Sequence, residues 1–290
     1  MNWLVALRLG RVSNLPTVWT NVLAGMTLAG GGASVSMTAV LLLSLTLFYL
    51  GGMYLNDAFD RRIDAIERPE RPIPSGQVKA ATVFATGFAM LGLGLAGLLL
   101  AGFTLPGGTG WAALASGLAL AGAIVFYDWH HKANALGPLV MGACRMLVYL
   151  TAGAAVSSAL PAGLWLGAGA LLCYLVGLTF AAKQENLNQI TNLWPLVFLA
   201  VPFAYVPLAY GYAAAAAFIY AALALWVLYA LAHLVLPALR NVPRAVVSLL
   251  AGICLLDALL IAAQGETTLA WIALAGFPLT LAFQRWVPGT

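Results

Sequence analysis

Asn56-Asp57-Ala58-Phe59-Asp60-Arg61-Arg62-Ile63-Asp64 closes a long apolar run in a chain of 290 residues that carries almost no other charge. There are 13 Lys and Arg and 9 Asp and Glu, and ten of these 22 fall between Asp57 and Lys79. In so apolar a chain, ionisable groups are costly to hold and mark function. The run before the cluster has the length, about 20 residues, that crosses a hydrocarbon core of roughly 30 Å as a helix. Further out the pattern repeats: 63% of residues are hydrophobic and 8% charged, where soluble domains carry about 25% charge, and the mean hydropathy is +0.95. The chain reads as an integral, multi-pass membrane protein. Period-two alternation of polar and apolar residues is absent, so the spanning element is the helix.

About ten apolar segments recur, near 15–30, 38–56, 80–103, 111–127, 136–156, 162–182, 193–209, 212–236, 245–263 and 269–283. This predicts an all-α bundle of about nine to ten transmembrane helices forming a single domain over residues 1–290. Pro195, Pro202 and Pro207 kink the seventh segment and leave the count between nine and ten. Arg8 and Arg11 precede the first segment. Arg61 to Lys79 follow the second, Lys132 the fourth, Lys183 the sixth, Arg240 and Arg244 the eighth and Arg285 the tenth. Cations are retained on the cytoplasmic side, so both termini and a site on that face of an inner or plasma membrane are expected. The first segment is expected to be retained rather than cleaved, since an even number of spans keeps the cationic loops together. A net charge of +4 suits contact with anionic membrane lipid and requires no nucleic-acid partner. Cys144, Cys173 and Cys254 sit in apolar segments without metal-ligand spacing and read as packing residues.

If the second helix continues through the cluster, Asp57, Asp60 and Asp64 stand at i, i+3 and i+7 on one face, with Asn56 beside Asp60. Carboxylates crowded at low dielectric need a cation to stay ionised. Oxygen-only donors suit Mg²⁺, which takes one or two carboxylates together with phosphate oxygens. Arg61, Arg62, Arg68 and Arg71 suit phosphate through bidentate guanidinium contacts. The combination predicts a Mg²⁺-diphosphate site. The plainer alternative is mutual neutralisation, with Asp64 and Arg68 as an i, i+4 pair. Pro69, Pro72 and Pro74 cannot continue the helix and make the following loop stiff and cationic.

Asn56-Asp57-x-x-Asp60-x-x-x-Asp64, followed by Arg71-Pro-Ile-Pro-Ser-Gly76, resembles the first aspartate motif of the UbiA-type intramembrane prenyltransferases. The resemblance runs from Arg11-Val-Ser-Asn14-Leu-Pro-Thr to the loop after the sixth segment. It implies a helical membrane enzyme that moves a prenyl group from its diphosphate to a hydrophobic acceptor, aromatic or lipid-like, and releases pyrophosphate. It places Mg²⁺ and diphosphate at Asn56, Asp57, Asp60 and Asp64, with Arg61 and Arg71 as phosphate contacts. The Tyr127-Asp128 corner and the segment from Leu136 to Arg145 look closest to the EboC-like branch. The family's second aspartate cluster is replaced here by Lys183-Gln-Glu185-Asn186-Leu-Asn188-Gln189-Ile-Thr-Asn192. Glu185, Asn188 and Asn192 keep the i, i+3, i+7 spacing. Either this side binds one metal weakly through Glu185, or Lys183 touches the diphosphate.

Other polar residues extend the candidate site. Arg145 lies two turns into the fifth segment, too deep to reach water easily, and is either a diphosphate or acceptor contact or the partner of Asp128 or Asp257. Asp128 is a candidate diphosphate or metal contact, Lys132 a candidate diphosphate contact, and Asn14 and Asn21, at i and i+7, candidates for the acceptor pocket. Asn14 and Asn21 equally suit hydrogen bonding between helices. His130 and His131 read as a solvated loop, and the mid-span Asp257 as either a neutral, hydrogen-bonded carboxyl or a functional one. Alternative functions are a transporter, which spreads its charges through the spans, and a non-catalytic prenyl-lipid binder. A CDP-alcohol phosphotransferase would need an Asp-Gly-x-x-Ala-Arg opening, which this chain lacks.

Overall fold

The computed structural model describes all residues except 1, 31, 33, 131–133, 184–191, 212–213 and 288–290. Among the described residues all regular structure is helical: α1 (Trp3–Leu9), α2 (Leu15–Leu28), α3 (Val35–Glu67), α4 (Ala80–Thr104), α5 (Trp111–His130), α6 (Gly137–Val156), α7 (Ala162–Lys183), α8 (Val201–Tyr210), α9 (Ala214–Val235), α10 (Val242–Ala263) and α11 (Thr267–Phe283). Seven of these, α3 to α7, α9 and α10, are long and apolar enough to cross a membrane. α2, the stretch Trp194–Tyr210 and α11 are shorter than the expected spans. The cause is local. Trp194–Ala200 is wound as a 3-10 helix rather than α, Pro207 lies inside α8, and α2 is limited to 14 residues.

α3 decides where the chemistry can sit. Ser34 caps its start by accepting from Met37 N–H at 3.2 Å. No proline interrupts its 33 residues, which reach about 50 Å, well beyond a bilayer core. The rod therefore carries the carboxylate cluster in its last turns, as expected. It ends at Glu67 because Pro69 follows, with Arg68 as C-cap. The loop then folds back through bonds from Ser75 N–H to Arg71 O at 3.0 Å and from Gln77 N–H to Pro72 O at 3.0 Å. Val78 and Ile73 pack on Val5, Leu9, Tyr54 and Ala58, which pins the loop to α1 and α3. Trp111 and Trp129, both strongly exposed, lie about 27 Å apart on α5, the separation of two interfacial aromatic belts.

α2 packs against α6, α10 and α11, and α10 also against α9 and α7, so α10 is buried along nearly its whole length. Small residues set these approaches. A Cβ at Gly51 on α3 would stand 2.9 Å from the Gly87 carbonyl of α4, and one at Gly25 on α2 would stand 2.6 Å from the Tyr149 carbonyl of α6. Gly25→Ala must therefore push two backbones apart. We expect it to lower stability by about 1–3 kcal/mol, read as a lower midpoint of thermal unfolding in detergent, whereas Gly122→Ala, which meets open space, should leave the midpoint unchanged.

Candidate active site

Asn56, Asp57, Asp60 and Asp64 are buried on one face of α3, their exposures only 6, 6, 5 and 1%. So many carboxylates tolerate burial because cations reach them from two directions. Arg11, between α1 and α2, places Nη2 3.0 Å from Asp57 Oδ1. Arg71, from the proline-rich loop, places Nη1 3.3 Å from the same oxygen and 2.7 Å from Asp64 Oδ2. The ion pair of Asp64 is thus with Arg71; Arg68 meets Asp64 through its backbone N–H. Arg11 takes a left-handed backbone with φ 40°, the one non-glycine residue to do so among those described. Tyr49 on α3 braces it by donating its hydroxyl to the Arg11 carbonyl at 3.2 Å. Burial alone would push the Arg11 guanidinium down, but the Asp57 carboxylate beside it holds it above its ordinary value.

Asp128 comes in from the end of α5, where Asn56 Nδ2 donates to its Oδ1 at 3.2 Å. Asp64 Oδ1 and Asp128 Oδ2 are buried carboxylate oxygens without a hydrogen-bond partner. Such orphans call for a cation or a donor that arrives with a ligand. Among the described residues, no three His, Cys, Asp or Glu side chains stand close enough to hold an ion by themselves. A cation that also takes phosphate oxygens and water does not need such a cage.

Arg11, Asn56, Asp60, Arg71 and Asp128 form the charged end of a chamber of about 540 Å³, whereas Asp57 and Asp64 stand outside its lining, paired with Arg11 and Arg71; the volume is that of a small-molecule site. Arg11, Asn14, Asn56, Asp60, Arg71 and Asp128 line it, and Arg68 and Glu67 stand at its rim. One or more turns deeper along the same helices the walls become apolar, through Leu45, Phe48, Leu120, Ile124, Val148 and Leu250. Arg145 also lines the chamber, about 12 Å along α6 from its start. Its Nη1 donates to Asn21 Oδ1 at 2.9 Å and its guanidinium lies 5.4 Å from the centroid of the Tyr49 ring. Its direct partner is therefore neither Asp128 nor Asp257. Lys183, the last residue of α7, lines the opening and donates to the Asn134 carbonyl at 3.0 Å.

Arg61 departs from its expected place. Its guanidinium donates to the Ala58 carbonyl at 2.8 Å and lies over the Phe84 ring of α4 at 5.4 Å, away from the chamber walls. His130 stacks near Phe126 and Trp129 outside the chamber. Lys132, His131 and Glu185 lie outside the described residues. Arg11 and Tyr49 are the site residues that sequence reasoning missed, and only the position of Arg11 just before the first apolar segment hinted at its role.

Residues 18–238, most of the chain, match the model of the UbiA prenyltransferase family. The chain belongs to this family. Among similar proteins, a digeranylgeranylglyceryl phosphate synthase of Methanothrix thermoacetophila is 37% identical over 89 residues, covering 30% of this UbiA-family chain and 33% of the relative. The synthase of the same name from Methanopyrus kandleri is 28% identical over 223 residues, 72% of this chain and 70% of the relative. The chain thus spans about a third of the first relative and somewhat over two thirds of the second. A UbiA homologue from Aeropyrum pernix K1 superposes with a TM-score of 0.66 at 19% identity, covering 87% of this chain and 97% of that one. A second, from Archaeoglobus fulgidus and bound to DMAPP and Mg²⁺, has a TM-score of 0.54 at 15% identity and covers 91% and 99%. At such identities the likeness is one of fold.

Proposed function

We propose that this UbiA-family chain moves a prenyl group from a prenyl diphosphate to a hydrophobic acceptor within the membrane and releases pyrophosphate. The observation that carries the reading is a single chamber with buried carboxylates and guanidiniums at one end and apolar walls beyond. A diphosphate head with a hydrocarbon tail has that polarity. The charged end lies on the cytoplasmic side by its excess of Lys and Arg, with both termini there. α2, Trp194–Tyr210 and α11 complete nine to ten spans.

Asp57, Asp60 and Asp64 are the residues to hold Mg²⁺, with Glu185 as a further donor from the second motif. The unpartnered oxygens of Asp64 and Asp128 fit that charge, and Mg²⁺ accompanies the donor in the Archaeoglobus fulgidus homologue. When bound, the ion supplies positive charge to the leaving diphosphate. The chain's own groups do the rest. Arg71 and Arg11 exchange carboxylate oxygens for phosphate oxygens, keeping their charge beside the leaving group as its own charge grows. Asn56, Asp128, Lys132 and Lys183 complete the donor contacts. The allylic C–O bond breaks with its electron pair on pyrophosphate. The acceptor then forms the new bond to carbon and loses its proton. Apolar walls exclude the water that would capture the carbocation first, and the faces of Phe48, Tyr49 and Tyr127 in the chamber can stabilise it.

Asn14 and Arg145 are the acceptor contacts. The relatives named above favour a lipid-like acceptor over an aromatic one: a product with two geranylgeranyl groups on glyceryl phosphate arises by adding the second to geranylgeranylglyceryl phosphate. Within the family, the Tyr127-Asp128 corner and the segment ending at Arg145 support a reading as a member of the EboC-like branch.

The test is binding of geranylgeranyl diphosphate to the purified protein, with Mg²⁺ and again with EDTA, followed by incubation with geranylgeranylglyceryl phosphate. Binding that needs Mg²⁺, with formation of the doubly prenylated lipid, is expected. No binding across donors of several chain lengths would overturn the reading in favour of a transporter. Binding with no product on lipid or aromatic acceptors would identify a prenyl-lipid binder.

A further inference from the structure

Asp257 on α10 is fully buried, and the chemistry above makes no use of it. Its carboxylate is surrounded by donors from two other helices. Asn21 Nδ2 on α2 donates to Oδ1 at 3.0 Å and to Oδ2 at 2.8 Å. The hydroxyls of Thr20 on α2 and Tyr149 on α6 donate to Oδ2 and Oδ1. The four contacts use the full accepting capacity of a carboxylate.

Both oxygens of the Asp257 carboxyl accept from Asn21 Nδ2, so the amide turns its N–H₂ and not its carbonyl toward Asp257. That choice turns Asn21 Oδ1 the opposite way, where Arg145 Nη1 donates to it at 2.9 Å. Arg145 forms no direct ion pair among the described residues. A guanidinium held two turns inside an apolar bundle needs a counter-charge, and Asp257 supplies it across one amide. The close α2–α6 approach at Gly25 and Tyr149 brings these parts together.

We propose that Asp257 is a positioning residue: acting through Asn21, it fixes where the Arg145 guanidinium stands in the chamber wall, and so how the chamber holds an anionic acceptor headgroup. This rests on the prenyl-transfer reading. Asp257→Asn keeps the shape and removes the constraint. The new carboxamide can pair with a reversed Asn21, which then points N–H₂ at Arg145, donor against cation.

In Asp257→Asn, the KM for geranylgeranylglyceryl phosphate is expected to rise about tenfold or more, as for a lost hydrogen bond to a charged group. Turnover at saturation and Mg²⁺-dependent binding of geranylgeranyl diphosphate should stay near wild type. Arg145→Ala should raise that KM at least as far, and the double variant should be no worse than Arg145→Ala alone, because the two residues act in series. Losses that add, or an equal fall in geranylgeranyl diphosphate affinity, would overturn the proposal. Should Asp257→Asn not fold, Asn21→Leu removes the amide and leaves the Thr20 and Tyr149 bonds in place. Should the wild type form no product, the prenyl-transfer reading fails by itself and the positioning is read from the structure of Asp257→Asn. Arg145 displaced from Asn21 Oδ1 upholds it; Arg145 unmoved sinks it.

Discussion

Asp60→Asn is expected to lower prenyl transfer by about a thousandfold, roughly 4 kcal/mol of transition-state stabilisation. Asp60 is buried, lines the chamber and stands one helical turn from both Asn56 and Asp64. The carboxamide has the same shape, so α3 and its packing persist, but the charge that would help hold Mg²⁺ against the leaving diphosphate is gone. The thermal midpoint without ligand should hold or rise, because one of several crowded like charges has been removed. Turnover followed by mass spectrometry of the prenylated product, beside a melting curve in the same detergent, separates the two effects. Activity within about tenfold of wild type would remove Asp60 from the metal site.

Arg71→Ala should weaken the donor at least as severely, with a different signature. Its guanidinium holds Asp57 and Asp64 together, at 3.3 and 2.7 Å. Removing one partner of a buried ionic cluster costs about 3–5 kcal/mol, because the remaining charges are left uncompensated. The unliganded protein should therefore melt at a lower temperature, and Mg²⁺ alone should restore part of the loss by taking over the two carboxylates. Affinity for geranylgeranyl diphosphate should drop by about two orders of magnitude or more, the worth of a charge-assisted bidentate contact. Arg71→Lys should recover little of it, since an ammonium cannot span two oxygens in a plane. Calorimetry with Mg²⁺ and with the diphosphate, each added separately, checks both signs. An unchanged diphosphate affinity would show that Arg71 is only a brace for the loop.

Much of this site was legible because the chain is so apolar. Polar residues at i, i+3 and i+7 in such a setting define a single face, and α3 runs through Asp57, Asp60 and Asp64 as that spacing required. Helix termination at the prolines was equally plain. Pairings across the fold were not. Arg11 and Asp57 are 46 residues apart, and the packing of α1 and α2 on α3 joins them. Asp64 chose Arg71 over the nearer Arg68 because the loop folds back, which sequence spacing does not encode. Arg61, one turn from Asp57, was captured by the Phe84 ring. Helix length was least legible at Trp194–Ala200, where hydropathy cannot tell 3-10 from α winding.

α3 joins Leu45 and Phe48 in the deep wall to Asn56 and Asp60 at the charged end in one unbroken helix. Depth and chemistry are therefore measured on a common rod. One residue inserted between Phe48 and Asn56 would lift the carboxylates by only about 1.5 Å but swing them through about 100°, out of reach of Arg11. On the prenyl-transfer reading, variation in the length of hydrocarbon accepted then comes from changing the bulk of wall side chains and not from lengthening the segment between them. In this architecture donor size can drift by single substitutions, while the phase of the rod stays locked to the reaction.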